Sequence, residues 1–190
     1  MSVLKNSLAM SHEMVSKVVL PGDVVIDATA GNGNDTVFLA SLVGEGGRVY
    51  SFDIQDQAIS NTYKKVVERN YQDRVKIIKD GHQNLDLYVK EKVKAVMFNL
   101  GYLPGGYHSI ATRGETTAEA VGKAMELLVV NGIISIVVYY GGDSGFEEKD
   151  YLMKFFSGID SKQFSVAKTE FVNQANCPPI FVCIEKLFEK

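Results

Sequence analysis

The chain has 190 residues, 46% of them hydrophobic, with 20 Lys and Arg against 23 Asp and Glu, a net charge of −3 and a sequence pI near 5.6. That length fills one well-buried core and is short for two, so a single domain over residues 1–190 is expected. No global basic field marks a nucleic-acid binder. The only cysteines, Cys177 and Cys183, give neither a disulfide framework nor a zinc spacing, and no stretch has the apolar length of a membrane span or a signal peptide. A soluble, cytoplasmic protein without a metal or membrane partner is expected.

Residues 11–20 carry Met14, Val15, Val18 and Val19 at helical spacing and stop at Pro21-Gly22, which predicts a leading helix. Its His12 is either an ordinary half-exposed side chain or near enough to reach a ligand at the sheet tips. Val24-Val25-Ile26-Asp27 is then a β-branched strand closing on a carboxylate. It is followed by Ala28-Thr29-Ala30-Gly31-Asn32-Gly33-Asn34-Asp35-Thr36 and by the helical pattern of Val37, Phe38, Leu39, Ala40 and Val43. Strand, tight glycine turn and helix read as a nucleotide pocket, because glycine lets the backbone bend and lets a ligand approach the peptide plane.

The turn argues about which nucleotide. A dinucleotide fingerprint wants a third glycine where Thr36 stands, so NAD is disfavoured. S-adenosylmethionine has no phosphate and carries an ammonium and a sulfonium, which a carboxylate such as Asp27 suits. Arg48 to Asp53 is a second strand ending in an acid, about 20 residues past the glycines. Asp53, with Ile54 and Gln55 after it, is placed to accept both ribose hydroxyls. The plainer alternative is that Asp27 caps the turn and Asp53 the next helix.

Asp56 opens a helix in which Ile59, Tyr63, Val66 and Val67 form the apolar stripe. Lys64, Lys65, Arg69, Arg74, Lys76 and Lys79 in and after it are either a solvated face or a local basic patch. Residues 75–78 form a third strand, after which Asp80-Gly81-His82-Gln83-Asn84-Leu85 should border the adenine, through His82 or the backbone beside it such as Gly81; the plainer alternative is a turn in which Asp80 and Asn84 satisfy the backbone. Residues 94–100 are nearly all apolar and read as a central strand that ends in Asn99 and opens into Gly101-Tyr102-Leu103-Pro104-Gly105-Gly106-Tyr107-His108. Thr116 to Glu119 reads as a capping box for a helix that Asn131-Gly132 ends. Residues 133–140 make a fifth strand, a glycine loop spans 141–145, and Tyr151, Leu152, Phe155, Phe156 and Ile159 lie on one side of the next helix. Two final strands, residues 164–171 and 180–187, follow each other without a helix, so one is antiparallel. The fold class is α/β, a mainly parallel sheet with helices on both faces.

Methyl transfer from a sulfonium is an in-line displacement that leaves the protein mostly the work of alignment. Neither cysteine stands at a strand tip, which disfavours the covalent route to carbon targets. Amine targets need acceptors for N–H groups. Asn99 and the carbonyl of Leu100 offer such a pair, and Tyr102 offers a stacking face. Asn99-Leu100-Gly101-Tyr102 matches the N-P-P-Y motif of amino-group methyltransferases at its first and last residues, with Leu-Gly in place of Pro-Pro.

The turn from Asp27 to Thr36, Asp80-Gly81-His82, the run from Asn99 to Gly106, and Asn173-Gln174 with Pro178-Pro179 together resemble the bacterial putative rRNA methylase family over nearly the whole chain. Thr29 replaces the first glycine common in methyltransferase motifs, a substitution this family shares. Gly142 stands where relatives often have histidine. The resemblance implies a Rossmann-like class I methyltransferase of seven strands, with S-adenosylmethionine as donor and S-adenosylhomocysteine as product. It implies a tRNA substrate, the aminomethyl group of 5-aminomethyl-2-thiouridine at the wobble position. Alternatives are an rRNA or small-molecule amine methyltransferase, or a silent donor-binding module. An alkylamine is protonated at neutral pH, so a base is needed, and Asp35, His108 and Glu115 are the candidates by position. Leu100, Tyr102, Pro104, His108, Thr112, Glu115 and Thr116 resemble the substrate mouth. A homodimer is the candidate assembly.

Overall fold

β-Branched runs that alternate with amphipathic segments fold as parallel strands, because each crossover helix must return along a face of the sheet. The computed structural model describes residues 3–101 and 113–189, and of residues 142–144 only the backbone. In chain order it runs α1 (Ser7–Val18), β1 (Val24–Asp27), α2 (Asn34–Val43), β2 (Arg48–Asp53), α3 (Asp56–Glu68), β3 (Val75–Lys79), one 3₁₀ turn (His82–Asn84), and α4 (Leu85–Tyr88). It continues with β4 (Val93–Leu100), α5 (Gly114–Leu127), β5 (Leu128–Val138), α6 (Gly142–Ser157), β6 (Phe164–Thr169) and β7 (Ile180–Lys186).

The strands form one seven-stranded sheet in the order β3-β2-β1-β4-β5-β7-β6. β7 is antiparallel to β5 and β6, and the other pairings are parallel, as the sequence predicts. The chain winds outward from β1 to β3 and then crosses back to β4 on the other side of β1. The tips of β1 and β4 are therefore a switch point, where loops diverge and leave a crevice.

Alternate residues of β4 feed the two cores. Val96, Phe98 and Leu100 pack with Val121 of α5 and Leu152 of α6. Ala95 and Met97 pack with Val15 of α1 and Leu39 of α2 on the opposite face. Among the described residues no helix is long and apolar enough to cross a membrane.

Five boundaries and faces differ from the sequence expectation. Helix α1 begins at Ser7 rather than near residue 11, because the Asn6 side chain accepts the Ala9 N–H at 2.9 Å. Its early inward contacts are also polar. The Ser7 hydroxyl donates to the Pro179 carbonyl, and the Ser11 and Ser135 hydroxyls pair at 2.6 Å. Helix α3 buries Ala58, Thr62 and Val66, whereas Tyr63 is 60% exposed and Val67 42%. Small side chains face inward there because Gly33 presses on Thr62, so closely that a Cβ at Gly33 would lie 2.8 Å from the Thr62 Cα.

Helix α5 starts at Gly114, and Thr116 donates to the Arg113 carbonyl at 3.0 Å within the first turn instead of capping. That helix passes straight into β5 at Leu128, and Asn131 takes a left-handed φ of 59° inside the strand, where the register against β4 shifts. Helix α6 begins at Gly142, within the expected loop.

The packing predicts a contrast. Phe98→Ala should cost about 3–5 kcal/mol of unfolding free energy in a urea titration, while Tyr63→Ala should change it by less than about 0.5 kcal/mol. A large loss at Tyr63 would restore the stripe read from the sequence.

Candidate active site

The turn after β1 is tied to both neighbouring strand tips. Ala28 N–H donates to the Met97 carbonyl of β4 at 2.9 Å, and Ala30 N–H donates to the Phe52 carbonyl of β2 at 2.8 Å. Gly31 and Gly33 are left-handed, with φ of 52° and 77°, which only glycine adopts cheaply. The Thr29 hydroxyl oxygen accepts the Asn99 N–H at 2.7 Å. Asp53 accepts the Gly31 N–H and the Gln55 N–H, one on each oxygen, both at 2.9 Å.

A crevice of about 370 Å³ opens between these tips. Its floor is the turn from Thr29 to Asn32. Asn34 and Asp35 of α2, Asp53 at the end of β2 with Gln55 after it, and Asn99 and Leu100 of β4 with Gly101 after them stand around it. Leu8 and His12 of α1 and Tyr139, just past β5, complete the wall. Leu8 and Tyr139 were not singled out from the sequence. Tyr139 carried a signal, since it follows the carboxyl end of a parallel strand. Leu8 carried none, because the start of its helix rests on a cap and on hydroxyl contacts. Among the described residues no Lys or Arg lines the crevice, whereas two carboxylates do.

Asp35, in the first turn of α2, is the hub of the polar wall. One of its oxygens meets His12 Nε2 at 2.7 Å, and the other accepts from Asn99 Nδ2 at 3.3 Å. The His12 ring stacks on Phe38 with centroids 4.1 Å apart. Asn99 Oδ1 is buried and has no hydrogen-bond partner among the described residues. The Leu100 carbonyl accepts the Tyr139 N–H at 3.2 Å. Burial, and next the charge of Asp35, raise the Tyr139 phenol above its ordinary pKa.

Several expected cofactor residues lie under or beside the crevice rather than on its wall. Asp27 is 1% exposed. Its oxygens accept the Thr29 N–H at 3.1 Å and the Thr36 hydroxyl at 2.5 Å, and Thr36 also pairs with the Ser51 hydroxyl at 2.7 Å. The plainer reading of Asp27, a carboxyl that braces the turn, is the one the geometry supports. Burial, with a second push from Asp35, takes that carboxyl up to about 7. Ala28, Gly33 and Thr36 are buried with it, and Ile54 points to solvent at 54% exposure.

Gly81 and His82 are buried outside the crevice. His82 Nδ1 lies 3.2 Å from the Ala28 carbonyl, to which it donates, and its ring meets the Phe98 ring at 70°. Burial lowers its pKa. Asp80 closes the same segment by accepting from Gly81, Asn84 and Tyr88, with the Asn84 bond foremost in holding its pKa down.

Glu115 is exposed and Thr116 half-buried at the start of α5, both away from the crevice wall. Tyr102, Pro104, Tyr107, His108 and Thr112 lie outside the described residues. Of the basic candidates, Lys79 pairs with Asp56 at 2.6 Å, Lys65 reaches Asn34, and Arg74 and Lys76 lie over the rings of Tyr71 and Tyr50.

Over residues 49–185 the sequence matches the family described as "Putative rRNA methylase". The chain belongs to this family. It is 38% identical over 184 residues to the chloroplastic tRNA (mnm(5)s(2)U34)-methyltransferase of Arabidopsis thaliana, a match covering 92% of this chain and 67% of the plant protein. The crystal structure of a "putative rRNA-methylase" from Clostridium thermocellum is 63% identical, with a TM-score of 0.97 over 98% of this chain and 100% of that one. A "putative methyltransferase" from Streptococcus mutans, crystallised in complex with SAH, is 41% identical, with a TM-score of 0.90 over 97% and 100% of the two chains.

The buried carboxyl sets a pH dependence. Asp27 ionises near 3.8 in an unfolded chain but holds its proton to about pH 7 when folded. Its contribution to stability is therefore complete below about pH 4 and lost as the pH rises through about 7. Asp27→Asn cannot titrate. The melting temperature of the variant minus that of the wild type should climb from about pH 4 to 7 and then level, and a difference flat in pH would contradict the assignment.

Proposed function

We propose that this protein is an S-adenosylmethionine-dependent RNA N-methyltransferase that methylates the aminomethyl group of 5-aminomethyl-2-thiouridine at the tRNA wobble position. The observation that carries the reading is the charge of the crevice: Asp35 and Asp53 on its wall, and no Lys or Arg there among the described residues. A diphosphate would find repulsion. A ligand bearing an ammonium and a sulfonium finds compensation, and the volume is within the range of small-molecule pockets. The 38% identity to the plant tRNA methyltransferase supports the finer assignment of substrate.

When bound, the donor supplies a methyl group on a positively charged sulfur. The chain's residues do the rest by position. Each Asp53 oxygen already takes one backbone N–H and keeps a lone pair, enough for the two hydroxyls of a ribose. Thr29, Gly31, Asn32, Asn34 and Gln55 frame the nucleoside. Asn99 is held at two points, its N–H on Thr29 and its Nδ2 on Asp35, so that Oδ1, unpartnered among the described residues, is fixed. A buried amide oxygen without a partner is costly, and an N–H of the incoming amine would satisfy it. That contact aims the amine lone pair at the methyl carbon.

Asp53→Ala should weaken donor binding by roughly 1.5–3 kcal/mol, since a charged acceptor is lost, and calorimetry giving an unchanged dissociation constant would remove Asp53 from the pocket. Asn99→Ala should leave donor affinity intact and reduce turnover, and equal turnover in variant and wild type would exclude it. The substrate is tested with tritiated donor and tRNA from a strain lacking the enzyme. Label in the wobble nucleoside supports the proposal. Label in rRNA or in free amines alone, or none in any acceptor, overturns it.

A further inference from the structure

An alkylammonium must lose a proton before its nitrogen has a lone pair to offer, and the crevice contains a pair of side chains arranged for that task. We propose that His12 is the general base, with Asp35 as the residue that positions it. The proposal rests on the amine reading above and assigns the proton.

The geometry fixes the tautomer. Nε2 of His12 faces a carboxylate oxygen of Asp35 at 2.7 Å, and a carboxylate can only accept, so Nε2 carries the hydrogen. Nδ1 then keeps its lone pair, and no hydrogen bond from a described residue claims it. The ring is held in orientation by its stack on Phe38 and remains 31% exposed on the crevice wall. A histidine on a crevice wall, oriented through one nitrogen by a buried carboxylate and with its other nitrogen unclaimed by any described residue, is the arrangement that acid–base catalysis uses.

The other groups on the wall are poorer candidates. Asp35 is 6% exposed with both oxygens engaged, by His12 and by Asn99. Asp53 holds two backbone N–H groups at the second strand tip. Tyr139 is a phenol pushed toward its neutral form. Among the described residues these are the titratable groups that share the crevice wall with His12. On its own helix, Glu13 is turned to Lys5 and Lys17 at 2.8 and 3.0 Å.

The step balances within the site. The proton passes from the ammonium nitrogen to Nδ1, and the freed lone pair forms the N–C bond as the C–S pair stays with sulfur. Asp35 offsets the charge the imidazole gains. Because Asp35 also holds Asn99 Nδ2, one carboxylate sets both the base and the acceptor that aims the nitrogen.

The test compares wild type with His12→Gln, whose amide nitrogen can still donate to Asp35 but cannot take a proton. Single-turnover methyl transfer to tRNA bearing the free aminomethyl group should fall about 100-fold or more at pH 7, within the range removed with a general base. Donor affinity by calorimetry should stay within about twofold. The deficit should shrink as the pH rises past the pKa of the amine, which then arrives already deprotonated. Wild-type rate at pH 7, or a deficit of the same size at every pH, overturns the proposal.

A second readout needs no turnover. The sequence has three histidines, so ¹⁵N spectra of the histidine-labelled protein are assignable. Neutral His12 should carry its hydrogen on Nε2, opposite to His82, and a hydrogen on Nδ1 overturns the assignment. Wild type that transfers no methyl to this tRNA sinks the substrate reading and with it the base, whatever the tautomer. An active wild type with an unaffected variant sinks the base alone.

Discussion

The site depends on the close seating of one glycine turn between three strand tips and a helix. Thr29 takes the backbone of β4, Gly31 gives its N–H to Asp53 at the end of β2, and Gly33 sits where a single methyl group would meet the Thr62 backbone of α3. Each contact fixes a different wall. The turn cannot move away from β2 without losing the hold on Asp53, nor from β4 without releasing Asn99. Rigidity of this kind suits a reaction in which the protein contributes alignment more than bond-making.

Electrostatics follow from the same packing. Three carboxyls converge on the turn: Asp53 at the second strand tip, Asp35 at the head of α2, and Asp27 beneath. Burial makes the lowest of them hold a proton to about pH 7, which spares the fold one charge where solvent cannot reach. The other two stand on the crevice wall. Thus the residue that looked from the sequence like the ligand's partner braces the turn, and Asp35, eight residues on, is the carboxylate of that stretch on the crevice wall.

The alternation of strands and helices was legible because period and turn chemistry agree over β1 to β5, and the reversed last pair followed from two strands without a helix between them. The pocket's position was legible for the same reason, since the glycine turn and the acid after β2 are local signals. Less local features were not. The inward face of α3 is set by the proximity of Gly33, which replaces the large apolar residues of the pattern by Ala58 and Thr62. The beginning of α1 is held by hydroxyl contacts that no hydrophobic count registers. The path from α5 into β5 through a left-handed Asn131 reads in the sequence as a helix stop. Tyr139 and the link from His12 to Asp35 join residues distant along the chain, so spacing alone could not pair them.

The attachment of α1 bears on the order in which the molecule is assembled. Ser7 reaches a carbonyl 172 residues away, and Ser11 a hydroxyl 124 residues away. A segment made early in synthesis thus has its docking surface in strands made late, and contacts of such separation form slowly. The crevice lacks the wall carrying Leu8 and His12 until β5 and β7 are in place. A ribosome-bound or truncated chain that stops before Pro179 lacks the acceptor that anchors Ser7, and with it one hold on that wall.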